Sequence, residues 1–173
     1  KTVEPELVQG YKKEQILDLA KRSLTSVVAH FVLYIFVAIV TPLKSDHPVF
    51  LAALGVTIFL VSSIRMIMAK NIPEKYDNAP KFWEGMLISL NYVSGIIWGI
   101  FGPVMGIFYP LEWPFWFTLV LNAGLAAGAT SSLAPHEGLS KRFTMCMLLP
   151  IVIWGFYEGS SLGIATSLLT TFS

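Results

Sequence analysis

The stretch EGMLISLNYVSGIIWGIFGPVMG, Glu84 to Gly106, decides the fold. On an ideal helix of 3.6 residues per turn, Glu84, Asn91, Gly95, Gly99, Gly102 and Gly106 fall within about 40° of one line. Met86, Leu90, Val93, Ile97, Phe101, Val104 and Phe108 cover the opposite side. One face is small or polar and the other large and oily, whereas a helix in water turns its oily face inward. In lipid the oily face meets acyl chains, and the glycines let a neighbouring backbone come close.

Composition agrees with this stretch. Of 173 residues, 54% are hydrophobic and 13% charged, about half the charged share of ordinary soluble domains. The formal net charge of +1 gives no global field that would draw nucleic acid. The single cysteine, Cys146, excludes an internal disulfide. No cleavable signal peptide is visible, because the first 23 residues are charged and lack an apolar core. The chain opens at Lys1 and ends in the apolar run SLGIATSLLTTFS (161–173). That run is too short to span about 30 Å of hydrocarbon, so a longer protein is expected.

The predicted fold is all-α, a polytopic membrane bundle of six helices with the sixth truncated. Residues 1–23 form an amphipathic juxtamembrane helix, carrying Leu7, Tyr11, Ile16, Leu19 and Ala20 among lysines and acids; a solvated lead-in helix fits them equally. Spans are expected at about 24–43, 49–69, 84–108, 114–133, 143–157 and 161–173, with a homodimer in a lipid bilayer as the working assembly. Orientation follows from Lys and Arg. Lys1, Lys12, Lys13, Lys21, Arg22, Arg65, Lys70, Lys75, Lys81, Lys141 and Arg142 fall on one side and only Lys44 on the other, so both termini are expected in the cytoplasm. The outer connections are too short for an extracellular binding domain.

Within the spans, Gly124 and Gly128 of FWFTLVLNAGLAAGATSSLAP form a small face with Ala127 and Ser131, opposite Thr118, Asn122, Ala126 and Ala129. Close packing of this face against the glycines of span three is one expectation. A small lipophilic ligand held by Asn91, Gly95, Trp98, Gly99, Asn122, Gly124 and Gly128 is the other. Arg65 and Glu84 lie near the cytoplasmic ends of adjacent spans, where snorkelling lowers their cost, and form either an ion pair or a signalling link. His30 is the one histidine inside a span. Pro103 and Pro150 each remove a helical hydrogen bond. No nucleophile with its base, phosphate loop or metal-ligand spacing is present, so no catalytic residue, metal or cofactor is assigned.

The arginine of SSIRMIMAK (62–70), Trp83, the pair Trp98–Gly99 in IIWGIFG (96–102), the run NAGLAAGATSSLAP (122–135), and the phenylalanine and proline of KRFTMCMLLPIVI (141–153) carry a resemblance. Over roughly Lys21 to Ser173 the chain resembles the N-terminal membrane sensor region of bacterial sensor histidine kinases, often hybrid ones, and of some diguanylate cyclases. The resemblance implies a receptor input module in the bacterial inner membrane. In it the last span would relay a small or lipophilic signal to a cytoplasmic kinase or cyclase domain. A small oligomeric transporter or channel is the alternative from the residues themselves.

Overall fold

The computed structural model describes residues 5–134 and 136–159, and every long element among them is an α-helix. The order is α1 (Pro5–Val40), a short α2 (Leu43–Asp46), α3 (Pro48–Lys75), α4 (Pro80–Phe108), α5 (Trp113–Ser132) and α6 (Glu137–Glu158). The sixth span expected at 161–173 lies outside the described residues.

Among the described residues, four helices are long and apolar enough to cross a membrane: α1 from Gly10, α3, α4 and α6. The chain is thus a membrane protein of the all-helical class. The predicted fourth span, α5, has the length at 20 residues. Its second half is built of Ala, Gly, Thr and Ser around Asn122, which keeps it outside that group.

The surface is inverted relative to a soluble protein. Val28, Val32, Ile35 and Ile39 of α1, Val56, Phe59, Leu60 and Ile67 of α3, and Ile100 and Ile107 of α4 are all exposed. Ser23, His30, Ser62, Arg65, Asn91, Ser94, Thr118 and Asn122 are all buried. Water would reverse this partition, whereas acyl chains favour it because they solvate apolar side chains and cannot satisfy polar ones.

Two compact units divide the chain, the first comprising residues up to Leu90 with Ser132–Glu137, the second Asn91–Ser131 with the chain from Gly138. In the first unit, α1 is one helix of 36 residues, with no break at the boundary expected after residue 23. The junction Ser23-Leu24-Thr25-Ser26 holds neither glycine nor proline, so nothing interrupts the hydrogen-bond ladder. Ile16, Leu19 and Ala20 are fully buried on the same stripe as Ser23, Val27 and His30. Ile16, Leu19 and Ala20 of the lead-in therefore pack against protein, while Tyr11 is exposed.

Helices α1 and α3 are antiparallel. Lys13 Nζ meets Asp77 Oδ2 at 2.6 Å, Arg65 Nη2 donates to Ser23 Oγ at 3.0 Å, and Tyr34 Oη donates to the Leu51 carbonyl at 3.2 Å. Partner numbers fall from Asp77, in the turn just after α3, to Leu51 near the start of α3 as they rise along α1. Phe31 and Phe59 meet edge to face, with ring centroids 6.0 Å apart. Gly55 makes room for the Tyr34 ring, since a Cβ there would lie 2.6 Å from Tyr34 Cζ. The reversal between the helices runs through Thr41-Pro42 and α2, and Pro48 opens α3 at its first turn, where a missing N–H costs nothing.

In the second unit, α4 and α6 run parallel. Their contacts rise together along both helices: Gly95 with Phe143, Gly99 with Cys146 and Met147, Gly102 with Ile151, and Gly106 with Trp154. Helix α5 returns between them, with Phe115 against Trp154 (centroids 4.9 Å) and Asn122 against the Trp98 carbonyl at 3.1 Å. The α4–α5 turn is tight. Leu111 takes the left-handed conformation, φ 59°, and its carbonyl accepts the Trp116 indole N–H at 2.9 Å.

Candidate functional site

The strongest candidate is a polar cluster between α1 and α3. Arg65 is 1% exposed and its Nη2 donates to Ser23 Oγ at 3.0 Å and Ser26 Oγ at 3.4 Å. One turn along α1 from Ser26, the Nδ1 of His30 lies 2.6 Å from the Ser26 carbonyl. A carbonyl oxygen only accepts, so Nδ1 carries the proton and a neutral His30 ring has Nε2 as its acceptor. Ser62, one turn before Arg65, is buried as well.

Helical spacing builds this cluster. Ser23, Ser26 and His30 follow one another at intervals of three and four, hence on one face of α1, while Ser62 and Arg65 share a face of α3. A buried arginine in a membrane helix needs partners inside the protein; a hydrogen bond to a charged group contributes about 1.5–3 kcal/mol, and the hydroxyls of α1 supply such bonds.

Among the described residues Arg65 forms no ion pair with Glu84, one of the two links expected for them. Its guanidinium instead bonds to hydroxyls 39 and 42 residues earlier in the chain. Glu84 is half-buried near the start of α4, where its charge is felt by the Tyr76 phenol. Ser23 and Ser26 were missed as partners, although a signal existed. Ser23 and Arg65 each lie about 18 residues, about 27 Å of helix, from the 41–47 reversal, which sets them at one depth.

The second unit rearranges the ligand site expected between spans three and four. The glycine face of α4 is covered by α6, not by α5. A Cβ on Gly95 would lie 3.1 Å from the Phe143 ring, and one on Gly99 would strike the Cys146 carbonyl and lie 3.0 Å from Met147 Cα. One on Gly102 would lie 2.7 Å from Ile151 Cγ1, and one on Gly106 2.6 Å from Trp154 Cη2. Gly124 and Gly128, the expected partners, are exposed, and a Cβ at either would meet nothing within 4 Å. Helix α5 instead buries the opposite face: Phe115, Thr118, Asn122 and Ala126.

Of the expected pocket residues, Asn122 and Trp98 are brought together. Asn122 Nδ2 donates to the Trp98 carbonyl at 3.1 Å, which fixes the amide orientation because that oxygen cannot donate. Asn122 Oδ1 is fully buried without a hydrogen-bond partner among the described residues. Trp98 and Asn91 are 1% and 2% exposed, so neither lines an open cleft. An open groove of about 440 Å³ lies on another face of α4 and α6, lined by Ile100, Pro103, Leu149, Pro150, Ile153, Trp154 and Tyr157.

No three His, Cys, Asp or Glu side chains gather in one place among the described residues. Comparison with known protein families, with curated proteins and with solved structures finds no match to this chain.

Proposed function

We propose that the chain is the membrane-embedded sensory module of a bacterial signal-transduction receptor, with Arg65, Ser23, Ser26 and His30 as its two-state latch. The observation that carries this reading is the Arg65 guanidinium, 1% exposed and bonded to hydroxyls of another helix. An intramembrane ionisable group joining two helices is a functional hypothesis by default. A small or lipophilic signal that binds one arrangement of the helices better than the other shifts their populations, tenfold for each 1.4 kcal/mol of difference. In this reading the last span relays the shift to a cytoplasmic histidine kinase or cyclase domain, the working receptor is a homodimer, and the membrane is the bacterial inner membrane.

Geometry supports the topology of the reading. Lys12, Lys13 and Lys21 near the start of α1 share one end of the first unit with Lys70 and Lys75 of α3 and Lys81 of α4, the asymmetry that marks a cytoplasmic face. Parallel α4 and α6 need a return crossing between them, and α5 supplies it. In this reading a sixth crossing leaves both termini on the basic side.

The test uses the full-length receptor in vesicles. Arg65→Ala should lock output at one level, several-fold from wild type and insensitive to stimulus, with Arg65→Lys restoring part of the response. Vesicles carrying the receptor should pass no ions or solutes above protein-free controls. Solute flux that Arg65→Ala abolishes would replace the sensory reading with that of a small oligomeric transporter or channel.

A further inference from the structure

Helices α4 and α6 each carry one internal proline beyond the first turn, Pro103 and Pro150. Proline has no N–H, and its ring crowds the carbonyl four residues back. The carbonyls released are therefore those of Gly99 and Cys146. These two positions touch: a Cβ added at Gly99 would strike the Cys146 carbonyl oxygen. Both opened turns thus sit at a single crossing of two parallel helices. Gly99 makes that possible, because only a residue without a side chain lets the Cys146 carbonyl rest against its Cα.

The surroundings of the crossing are asymmetric. On the side of α5, Asn122 donates to the Trp98 carbonyl at 3.1 Å, next to the opened turn. On the other side Pro103 and Pro150 line the same groove of about 440 Å³ with Ile100, Leu149 and Ile153, leaving room for the helices to bend. Past the crossing the two helices are locked to each other. Ile151 fills the space over Gly102 and Trp154 that over Gly106, while the Trp154 ring also packs on Phe115 of α5, centroids 4.9 Å apart.

We propose that Gly99 and Cys146 mark a shared hinge, at which the segments of α4 and α6 beyond the two prolines tilt together as one body over the rest of the second unit. Two proline bends at unrelated depths would move independently. Bends whose opened turns meet where the Cys146 carbonyl rests against Gly99, with interlocked segments beyond that contact, have one common motion. The inference does not depend on the sensory reading, because a transporter could use the same hinge.

The experiment is distance measurement by double electron–electron resonance on the whole chain in lipid nanodiscs, in a Cys146→Ser background. One label pair spans the hinge on α4 (Val93→Cys with Ile107→Cys) and another spans it on α6 (Arg142→Cys with Phe156→Cys). All four positions are exposed. Each pair is about 21 Å apart along an ideal helix. The distribution for each pair should be at least twice as broad as in the Pro103→Ala, Pro150→Ala double variant. Pro103→Ala alone should narrow the α6 pair as well as its own, and Pro150→Ala should narrow the α4 pair. Distributions no broader than those of the double variant would make the bends static and overturn the hinge. Narrowing confined to the substituted helix, in both single variants, would show two separate kinks and overturn the coupling.

Discussion

Replacing Gly99 with alanine places a methyl group where the structure has the Cys146 carbonyl and, at 3.0 Å, the Cα and carbonyl oxygen of Met147. All of these are backbone atoms, so no rotamer change relieves the collision and α4 and α6 must separate. Overpacking of this kind costs about 1–3 kcal/mol. Alanine also gains about 0.5–1 kcal/mol over glycine inside a helix, so the net loss for Gly99→Ala is at most about 2.5 kcal/mol. The same propensity gain applies to Gly128→Ala, where the new Cβ meets nothing within 4 Å. The difference between the two variants isolates the collision, about 1–3 kcal/mol or roughly 5- to 150-fold in the unfolding equilibrium. Reversible unfolding of the chain in bicelles, followed by far-ultraviolet circular dichroism or steric trapping, measures it. Gly128→Ala as destabilising as Gly99→Ala would mean that the α5 glycines are the packed ones, and would refute the assignment of α6 as the partner of the α4 glycine face.

Asn122→Ala removes the bond to the Trp98 carbonyl, and interhelical side-chain bonds in membranes contribute about 0.6 kcal/mol, with about 1.7 as the upper end; a larger loss in the same assay would mean that Asn122 does more than hold that carbonyl. Asp77→Asn should cost about 0.2–1 kcal/mol at low salt and nothing at 1 M salt, where screening acts within about 3 Å. The partners are 37% and 72% exposed, and a salt-independent loss would contradict a surface pair. Gly55→Ala should displace the Tyr34 ring and break its bond to the Leu51 carbonyl, at about 0.5–1.5 kcal/mol. Tyr34→Phe should remove the same bond, so a double-mutant cycle that comes out strictly additive would show the two changes to be unrelated.

Membrane residence, all-helical class and the small face of α4 were determined by the sequence alone, because hydropathy and helical period are properties of one segment at a time. The stretch Glu84–Gly106 shows on its own that its small side wants close contact. It cannot show with what. In lipid every helix has an apolar surface, so hydrophobicity does not discriminate between neighbours, and the choice falls to shape. A row of glycines is a row of holes, and Gly124 and Gly128 offer only more holes. Phe143, Ile151 and Trp154 of α6 offer knobs that fill the glycine face at Gly95, Gly102 and Gly106, and at Gly99 the α6 backbone at Cys146 and Met147 itself comes into contact.

Arg65 shows the same division. Its place in a span was legible from hydropathy, and its cost in lipid made a partner necessary. Pairing with Glu84 follows when only charge is weighed. The tertiary structure decided otherwise: α1 and α3 pack antiparallel about a short reversal, and that register sets Ser23 and Ser26 beside the guanidinium at 3.0 and 3.4 Å. The continuity of α1 through residue 23 has a similar origin. Ile16, Leu19 and Ala20 carry the pattern of an interfacial helix, and their burial comes from the protein surface that the fold sets against them.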